Sequence, residues 1–455
     1  MLESLVNTIY ETDVSDLNDL HEMSFRARAG FADLSVSPLE VRNQALLHLA
    51  DLLSSSEEAV FSANQADLAC AESEGIAAPL LHRLKFGREK MDQVCSGLKA
   101  LASLPDPIGK TTYAMEITEG LDLYRVVCPI GVIGVIFESR PDALVQIASL
   151  CIKSGNAVLL KGGREAIRTN QALTAVIRRA LSDTGLPADC AQLLESREDV
   201  AAMLKEDELI DLIIPRGSNA FVRYIMDNSR IPVLGHADGI CHVYVDRDAD
   251  PDMTVRITVD SKTQNVSVCN AAETLLVHQD AAAAILPRIA DALREKGVEI
   301  RGDDKASAMI GCRPAGEEDW SREYLDYIIS VKIVGSLREA IDHINHYGSH
   351  HTDCIVTSDR EAAAEFMNRV DSAGVYWNVS TRFSDGFVYG FGAEVGIATG
   401  KLHARGPMGL EGLTTYKYKM FGNGHTMAEM KSGIRQYTHR SLPLTGCSPL
   451  GSEKE

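Results

Sequence analysis

Apolar stretches of strand length alternate with helix-like segments from about residue 131 to residue 370, and this pattern restricts the possible folds most strongly. The alternation forms two series, which meet near Val233. A strand followed by a helix usually returns to pair in parallel with its neighbour, so the pattern predicts an α/β protein with doubly wound parallel sheets. The predicted strands are Gly131–Phe137, Ala157–Leu160, Leu209–Ile214, His242–Val245, Thr274–Val277, Tyr327–Val334 and Cys354–Thr357.

The flanking segments differ from this central region. Residues 1–104 have the apolar spacing of helices. Thr112–Glu119 and Leu121–Val127 are predicted to form a β-hairpin. Leu413–Met420 is predicted to be a strand that could pair with this hairpin, and residues 423–455 are predicted to be a loosely held tail.

Length, charge and cysteine content narrow the class of protein. At 455 residues the chain exceeds the usual size of one core, so at least two domains are expected. The net charge of −19 argues against a general affinity for nucleic acid or an anionic membrane. No apolar run has the length of a membrane span, and the acidic N-terminus lacks a targeting signal. The ten cysteines include no CxxC pair and are expected to be reduced thiols of a cytoplasmic protein.

Two turns between a strand and a helix, LLKGGR and IIPRGSNA, combine glycines with cations. Free amides at a helix N-terminus favour a phosphate group, and a ribose 2′-phosphate calls for a cation. Neither turn has the G-x-G-x-x-G fingerprint, and either alone could be a solvated loop. Together they favour a phosphorylated cofactor. The residues concerned are Lys161, Gly162, Gly163, Arg164, Gly217 and Ser218.

Two polar segments lie further downstream. The histidine-rich segment Asp342–Cys354 could hold zinc, but its spacing fits neither HExxH nor paired CxxC units. The polar wall of an active-site cleft is the preferred interpretation, and no metal site is predicted. A glycine-rich run after Gly374 could close over a charged substrate or be an ordinary connection. Its charged residues are Arg382, Glu394, Lys401, His403 and Arg405.

Cys269 lies in the segment KTQNVSVCNAAE, between a polar approach that begins at Lys262 and the strand Thr274–Val277. A thiolate is a strong nucleophile and a good leaving group, so an accessible cysteine here could carry catalysis. Taken alone, this cysteine could equally be a buried structural one.

These segments together resemble the γ-glutamyl phosphate reductase family, a branch of the aldehyde dehydrogenase superfamily. The similarity extends over roughly residues 20–420, beyond what isolated motifs give. The histidine-rich segment and the run GAEVGIATGKLHARGPMGLE distinguish this family from other aldehyde dehydrogenases. The matching segments are Pro129–Asp142, Ser154–Arg164, Val334–Ile355, Asn378–Phe383 and Gly392–Tyr416.

The resemblance implies an aldehyde dehydrogenase-like fold in three parts. A Rossmann-type NADPH-binding domain and an α/β catalytic domain would be joined by a small β element for oligomerisation. The implied boundaries are residues 1–110 and 128–234 for the cofactor domain, 235–374 for the catalytic domain with Cys269, 111–127 and 400–422 for the β-hairpin element, and 423–455 for the C-terminal tail.

The resemblance also implies the reaction, which is the second step of proline biosynthesis. A phosphorylating glutamate-5-semialdehyde dehydrogenase reduces L-glutamate 5-phosphate with NADPH to the semialdehyde and phosphate. Cys269 would be the nucleophile that forms a thioester, which hydride then resolves. Its backbone amide would be an oxyanion donor.

Several positions follow from the family pattern. Ser139 stands where relatives have an asparagine oxyanion donor, and the stretch VLGHADG lacks the glutamate base of aldehyde-oxidising relatives. Arg164 stands where NAD-dependent relatives have a glutamate, and Glu323 matches the residue that holds the nicotinamide ribose. The implied substrate-binding residues are Arg140, His351, Ser380, Thr381 and Arg382.

Two alternatives remain open at this stage. The chain could be an aldehyde dehydrogenase of broader specificity, or a non-catalytic scaffold for the preceding kinase. A homo-oligomer is expected, and a transient contact with glutamate 5-kinase would shield the labile acyl phosphate.

Overall fold

The computed structural model describes residues 14–138, 140–195, 198–235, 238–391 and 394–444. The α-helices are α1 (Val14–Leu34), α2 (Leu39–Ser55), α3 (Glu57–Ser73), α4 (Ala78–Leu84), α5 (Arg88–Ser103), α6 (Pro141–Lys153), α7 (Ile167–Asp183), α8 (Glu198–Met203), α9 (Asn219–Asn228), α10 (Pro251–Thr263), α11 (Gln279–Glu295), α12 (Asp304–Ile310), α13 (Leu337–Tyr347), α14 (Arg360–Arg369) and α15 (Met427–Lys431). The strands are β1 (Thr111–Thr118), β2 (Leu121–Pro129), β3 (Val132–Phe137), β4 (Ala157–Lys161), β5 (Ala191–Leu194), β6 (Leu212–Arg216), β7 (Cys241–Val245), β8 (Ala272–His278), β9 (Glu299–Gly302), β10 (Arg313–Pro314), β11 (Ile328–Val334), β12 (Thr352–Val356), β13 (Gly374–Trp377), β14 (Gly396–Ala398), β15 (Gly406–Met408), β16 (Thr414–Phe421) and β17 (Arg440–Ser441).

These elements divide into two compact units. The first unit comprises the described residues within Met1–Gly217, Asn228–Val233 and Gly409–Glu455. The second unit comprises those within Ser218–Asp227 and Leu234–Met408. None of the helices in the described part of the chain combines the length and the apolarity that a membrane span requires.

The first unit contains two four-stranded sheets. One is parallel, with the order β5-β4-β3-β6, and every residue of β3 and β4 is buried, as expected where helices cover both faces of a sheet. The strand order reverses at β3, because β4 and β6 lie on its opposite sides. The other sheet is antiparallel, with the order β16-β2-β1-β17, and Gly120 occupies the β1–β2 turn at a φ of +75°.

The second unit is built on a seven-stranded parallel sheet with the order β10-β9-β11-β8-β7-β12-β13. Successive residues of a strand point to opposite faces. Leu275 of β8 packs with α10 and α11, for example on Ile289, and Leu276 packs with α13 and α14, for example on Phe366. Helices therefore cover both faces, and the expectation of a doubly wound α/β sheet is confirmed.

All seven predicted strands and the hairpin occur in the structure. β6 starts later than predicted because Ile210 still belongs to the preceding turn, where its N–H donates to the Glu206 carbonyl. The predicted pairing of the late strand with the hairpin is confirmed, since β16 pairs with β2 along its whole length.

Residues 423–444 differ from the expectation of a loosely held tail. They form α15 and then β17, which pairs with β1. The Arg440 guanidinium lies 2.6 Å from the Glu116 carboxylate, and the Leu442 N–H donates to the Ala114 carbonyl. A polar segment can thus be held by a sheet edge, because backbone hydrogen bonds need no apolar side chains.

Candidate active site

Cys269 lies in the turn between α10 and β8, at the amino ends of the parallel strands of the second unit. The Ala271 N–H donates to the Val268 carbonyl at 3.0 Å, which closes this turn around Cys269. Cys269 is partly exposed, whereas Cys241 and Cys354 in the same unit are fully buried. A substrate can therefore reach the sulfur of Cys269.

His351 lies directly against this sulfur. It precedes β12, its side chain is buried, and its Nε2 lies 3.2 Å from Cys269 Sγ. Its Nδ1 lies 2.9 Å from the Thr352 hydroxyl, which fixes the plane of the ring. An imidazole at this distance can accept the thiol proton and leave the nucleophilic thiolate. The sequence places His351 among the substrate residues, and in the structure its ring contacts the thiol of Cys269, the predicted nucleophile.

The segment that precedes β7 packs tightly on the backbone of Cys269. A Cβ on Gly239 would lie 2.2 Å from the Cys269 carbonyl oxygen and 2.4 Å from its Cα, so a larger residue has no room. The Cys241 thiol donates to the same carbonyl at 3.3 Å. Burial raises the pKa of Cys241 well above its usual value, so it remains a protonated donor.

The segment after β13 holds the Cys269 turn from another side. The Thr381 hydroxyl donates to the Asn270 carbonyl at 2.7 Å, and the Asn270 side chain donates to the Ser384 carbonyl at 2.8 Å. The Ser380 hydroxyl lies 3.1 Å from the Ser261 hydroxyl, and both Ser380 and Thr381 are buried. These two predicted substrate residues therefore already hold the turn through contacts within the chain.

Arg382 is the candidate cation of this site. Its Nε donates to Gln264 Oε1 at 2.9 Å, and its side chain is partly buried. Burial lowers the pKa of its guanidinium, and the thiol group of Cys269 is the main acidic group that opposes this shift. The two terminal nitrogens make no hydrogen bond or ion pair with other described residues. A guanidinium held by its Nε presents a planar fork that suits a phosphate or carboxylate.

Glu323 is linked to the same backbone. Its carboxylate accepts a hydrogen bond from the Gly239 amide and another from the Asn219 side chain. Burial raises the pKa of Glu323 above its usual value. Since Gly239 packs on Cys269, the carboxylate lies close to the nucleophile turn.

A buried ion pair joins the two ends of the nucleophile segment. Lys262 Nζ, in the last turn of α10, lies 2.6 Å from Glu273 Oε2 in β8, and both side chains are almost fully inaccessible. Burial lowers the pKa of Lys262 and raises that of Glu273 to about 7. The sequence identified Lys262 only as part of a polar approach and passed over Glu273, although a charge within an otherwise apolar strand was a usable signal.

The predicted cofactor residues of the first unit lie at the carboxyl edge of its parallel sheet. Lys161 ends β4 and is buried, and its Nζ donates to the Gly162 carbonyl at 2.8 Å. A Cβ on Gly162 would lie 2.2 Å from the Asn170 side chain, so packing alone requires a glycine here. Gly163 follows, and Arg164 is exposed and forms no ion pair with any residue that the structure describes.

The remaining predicted residues lie at the ends of neighbouring strands. Gly217 follows β6 and is exposed, as is Ser218, the first residue of the second unit. Arg140 caps α6 in the first unit, and its guanidinium lies 3.3 Å from the Asp142 carboxylate. Ser139 lies outside the described residues, so its predicted role as an oxyanion donor stays a prediction.

The other histidines of the histidine-rich segment do not converge on one point. His343 is buried against Trp320 and Tyr347, and burial lowers its pKa to about 2. His350 Nδ1 contacts the Asp371 carbonyl. Within the described residues there is no group of three or more histidine, cysteine or carboxylate side chains that could hold a metal ion.

Comparisons with known proteins identify the family of this chain. A family model described as "Aldehyde dehydrogenase family" matches residues 4–312. The γ-glutamyl phosphate reductase of Acetivibrio thermocellus is 56% identical over 423 residues, which are 93% of this chain and 98% of that protein. That of Ruminiclostridium cellulolyticum is 58% identical over 416 residues, 91% of this chain and 96% of that protein.

A solved structure extends the likeness to three dimensions. The crystal structure of γ-glutamyl phosphate reductase from Thermotoga maritima matches with a TM-score of 0.88 and 38% identity, and the match covers 90% of this chain and 99% of that one. The chain therefore belongs to the aldehyde dehydrogenase family and, within it, to the γ-glutamyl phosphate reductases.

Proposed function

We propose that this protein reduces L-glutamate 5-phosphate with NADPH to L-glutamate 5-semialdehyde and phosphate, the second step of proline biosynthesis. The relatives with the same domain content carry the name of this activity. The observation that carries the mechanism is the 3.2 Å contact between His351 Nε2 and Cys269 Sγ. It provides a proton acceptor beside a partly exposed thiol.

The first half of the reaction is acyl transfer to the enzyme. His351 takes the proton of Cys269, and the thiolate attacks the acyl carbon of the substrate. The carbon–oxygen bond to the phosphate breaks, phosphate leaves with the electron pair, and a thioester remains on Cys269. The Cys269 amide would donate to the oxyanion, and the contacts of Gly239 and Cys241 with the backbone of Cys269 would hold it in place.

The second half is reduction of the thioester. Bound NADPH would supply the hydride that converts the thioester into the aldehyde and releases the Cys269 thiolate. Within VLGHADG the only acid is Asp238, which accepts from the Asn219 side chain and pairs with Arg223. A carboxylate engaged in this way is a poor base for activating water, so hydrolysis of the thioester is disfavoured.

The first unit is proposed to hold the cofactor. Dinucleotides bind at the carboxyl ends of parallel strands where the strand order reverses, which in this unit is at β3 and its neighbours. Lys161 and Arg164 lie at the end of β4, the second strand of the series, where a ribose 2′-phosphate would be recognised. Gly217 and Ser218 would approach the phosphates, and Glu323 would bind the nicotinamide ribose.

The second unit is proposed to hold the substrate. The Arg382 fork would bind an anionic group of glutamate 5-phosphate. Arg140 belongs to the first unit, and its contact with the substrate stays a prediction. His351 would contact the reacting end through its role at Cys269. Ser380 and Thr381 would shape the pocket chiefly by fixing the turn, since their hydroxyls already bond to Ser261 and Asn270.

A homo-oligomer is proposed to form through the β-hairpin element. β16 lies at an edge of its sheet and exposes a row of apolar side chains on one face, Tyr416, Tyr418 and Met420. An exposed apolar edge strand is a typical protein–protein contact.

A substitution in β16 tests this interface. Tyr418→Lys should lower the molecular mass of the assembly measured by sedimentation equilibrium. Tyr437→Lys, at an exposed aromatic residue outside β16, should leave that mass unchanged.

The reverse reaction tests the proposed activity. Enzyme mixed with NADP⁺, phosphate and the semialdehyde should generate the absorbance of NADPH, and Cys269→Ala should abolish it. Omission of phosphate should also abolish it. Rapid turnover of simple aldehydes without phosphate would instead indicate an aldehyde dehydrogenase of broader specificity.

A matched pair of variants tests the cofactor choice. Arg164→Glu should raise the KM for NADPH much more than that for NADH, because it replaces the proposed partner of the 2′-phosphate with a like charge. Arg179→Glu, at an exposed position of α7, makes the same charge change away from the strand ends and should alter neither. An equal rise in the KM for NADPH and the KM for NADH would rule out this role of Arg164.

A further inference from the structure

We propose that Lys262 and Glu273 act as positioning residues, whose buried ion pair holds both the Cys269 turn and Glu323 in the geometry that the reaction needs. The inference rests on the proposed function, in which Cys269 is the nucleophile. Neither side chain would touch the substrate. Both would act through the backbone segments that they join.

The ion pair closes the base of the nucleophile segment. Lys262 lies in the last turn of α10 and Glu273 is the second residue of β8, so their contact at 2.6 Å joins the two elements that flank the loop of residues 264–271. Several residues of this loop are exposed, including Gln264, Asn265 and Ser267. An exposed loop holds its shape only where its ends and its turn are fixed. Lys262 and Glu273 fix the ends.

Glu273 reaches a second segment as well. Its Oε1 accepts from the Leu325 N–H at 3.4 Å, while its Oε2 faces Lys262. Leu325 has a φ of +52°, an unfavourable conformation for a leucine that its surroundings must hold. Two residues earlier in the same segment, Glu323 accepts from the Gly239 amide. Gly239 packs on Cys269, so one carboxylate connects both sides of the site.

The ion pair of Lys262 and Glu273 is better suited to fixing the positions of other groups than to raising the stability of the fold. A buried ion pair gains little over apolar side chains of similar volume, because both charges lose their hydration. The ion pair does fix the orientation of both side chains, since an ammonium and a carboxylate form strong hydrogen bonds in only a few geometries. The surroundings of the pair contain further charges and an aromatic ring: Glu323, Asp326 and the Tyr324 ring, whose centroid lies 6.0 Å from Lys262 Nζ. Lys262 is thus a buried cation that interacts with three carboxylates, those of Glu273, Asp326 and Glu323.

The test replaces both charges with apolar side chains. The full-length variant Lys262→Met/Glu273→Leu leaves no unpaired buried charge and is expected to fold, which circular dichroism and size-exclusion chromatography verify. Its kcat should fall roughly tenfold to 100-fold, as expected when reacting groups are displaced by a fraction of an ångström to an ångström. The control is Arg288→Met/Asp252→Leu, which removes an exposed ion pair between α10 and α11 and should leave kcat unchanged.

Alkylation of Cys269 separates positioning from simple loss of stability. The rate of its reaction with iodoacetamide is followed by peptide mapping across a pH series. In the double variant the rate profile should move to higher pH and the KM for the cofactor should rise, because the turn and Glu323 both lose their support. A merely structural role would lower the melting temperature and leave the kcat, the KM and the profile of the folded enzyme unchanged, which would overturn the inference.

The conservative variant Glu273→Gln tests the positioning role if the double variant fails to fold. It keeps the side-chain shape and the hydrogen bond from Leu325 but removes the charge. A lower kcat and a shifted alkylation profile support the inference, and wild-type values of both overturn it. The proposed function is judged separately, by the reverse reaction of the wild-type enzyme and by whether Cys269→Ala retains turnover. If Cys269→Ala is inactive and Lys262→Met/Glu273→Leu is fully active, the positioning role is overturned and the proposed function stands.

Discussion

At the scale of single residues, the site depends on one contact between groups that are distant in the sequence. Cys269 and His351 are joined through side-chain atoms 3.2 Å apart, while Gly239 and Thr381 fix the backbone on either side. The thiol is therefore held in a defined position beside an imidazole, which supports its proposed role as the nucleophile.

Replacement of His351 should remove the proton acceptor from this contact. His351→Asn keeps a polar side chain but cannot take up a proton, so kcat should fall by about 10²–10⁴-fold. The alkylation rate of Cys269 at neutral pH should fall as well. The control is His346→Asn, whose ring packs on Tyr347 rather than on the thiol. An unchanged alkylation rate in His351→Asn would show that another group activates the cysteine.

His343 should make the protein sensitive to acid. Burial, then the nearby His242, Lys332 and His346, lower the pKa of His343 to about 2, whereas an unfolded histidine titrates near 6.5. Between these values the unfolded chain binds one proton more than the folded chain, so stability is lost as the pH falls below about 6.5. In His343→Phe the free energy of unfolding should depend less on pH, by about 1.4 kcal/mol per unit between pH 4.5 and 6.

Chemical denaturation at several pH values measures this slope. An identical slope in wild type and His343→Phe would contradict the prediction, whatever the absolute stability of the variant. His82→Phe, at an exposed histidine of the first unit, is the control that should change the slope much less.

The sequence could identify the residues whose chemistry is distinctive but not the ones that position them. Cys269 and His351 were both candidates because thiols and imidazoles have few functional substitutes. The bond from Thr381 to the Asn270 carbonyl and the pairing of Lys262 with Glu273 depend on which loops meet. Contacts between loops depend on the order of the strands in the sheet, and the hydrophobic pattern of a sequence does not specify that order.

At the scale of elements, α10 matters most for the site, and the sequence pattern missed it. Its residues include several β-branched side chains, which weaken the helical signal. The available signal was Asp250 followed by Pro251, an N-cap followed by proline in the first turn. The Asp250 side chain accepts from the Met253 N–H at 2.7 Å. The last turn of the helix contains Ser261 and Lys262, which contact Ser380 and Glu273 on either side of the Cys269 turn.

Removal of this cap should lower both stability and activity. Asp250→Ala should cost about 1 kcal/mol of unfolding free energy, the usual value for a lost N-cap. Because α10 delivers Lys262, kcat should fall with it. Asp303→Ala removes the cap of α12, whose side chain accepts from Ala306 N–H, and should reduce stability without reducing kcat. Equal effects on kcat would show that general destabilisation explains both variants.

The seven predicted strands, all of them parallel, could be recognised because each is a short, apolar run with turn residues near its ends. β9 was not predicted, because its four residues alternate in burial and include Arg301, which pairs with Asp319. β17 was not predicted either, since its two residues are exposed and its place in the sheet depends on pairing with β1. Short edge strands carry too little pattern of their own to be recognised.

At the scale of the whole molecule, a net charge of −19 should make stability depend on salt. Like charges repel one another in the compact state, and screening reduces this repulsion. Raising the ionic strength from about 0.01 to 0.15 M shortens the Debye length from about 30 to 8 Å, so the melting temperature should rise. Differential scanning fluorimetry in sodium and potassium chloride should give the same rise. A fall in both salts would show that attractive ion pairs outweigh the net repulsion.

The contacts of His351 and Thr381 with the Cys269 turn have a consequence for the synthesis of the chain on the ribosome. A ribosome that has translated residue 300 has already produced the cysteine, but neither its imidazole partner nor the hydroxyl that fixes Asn270 has been made. The emerging chain therefore carries an ordinary thiol. His351 is made 82 residues after Cys269, and Thr381 follows 30 residues later. The proposed nucleophile can therefore acquire its imidazole partner and its fixed turn only when most of the second unit has been synthesised.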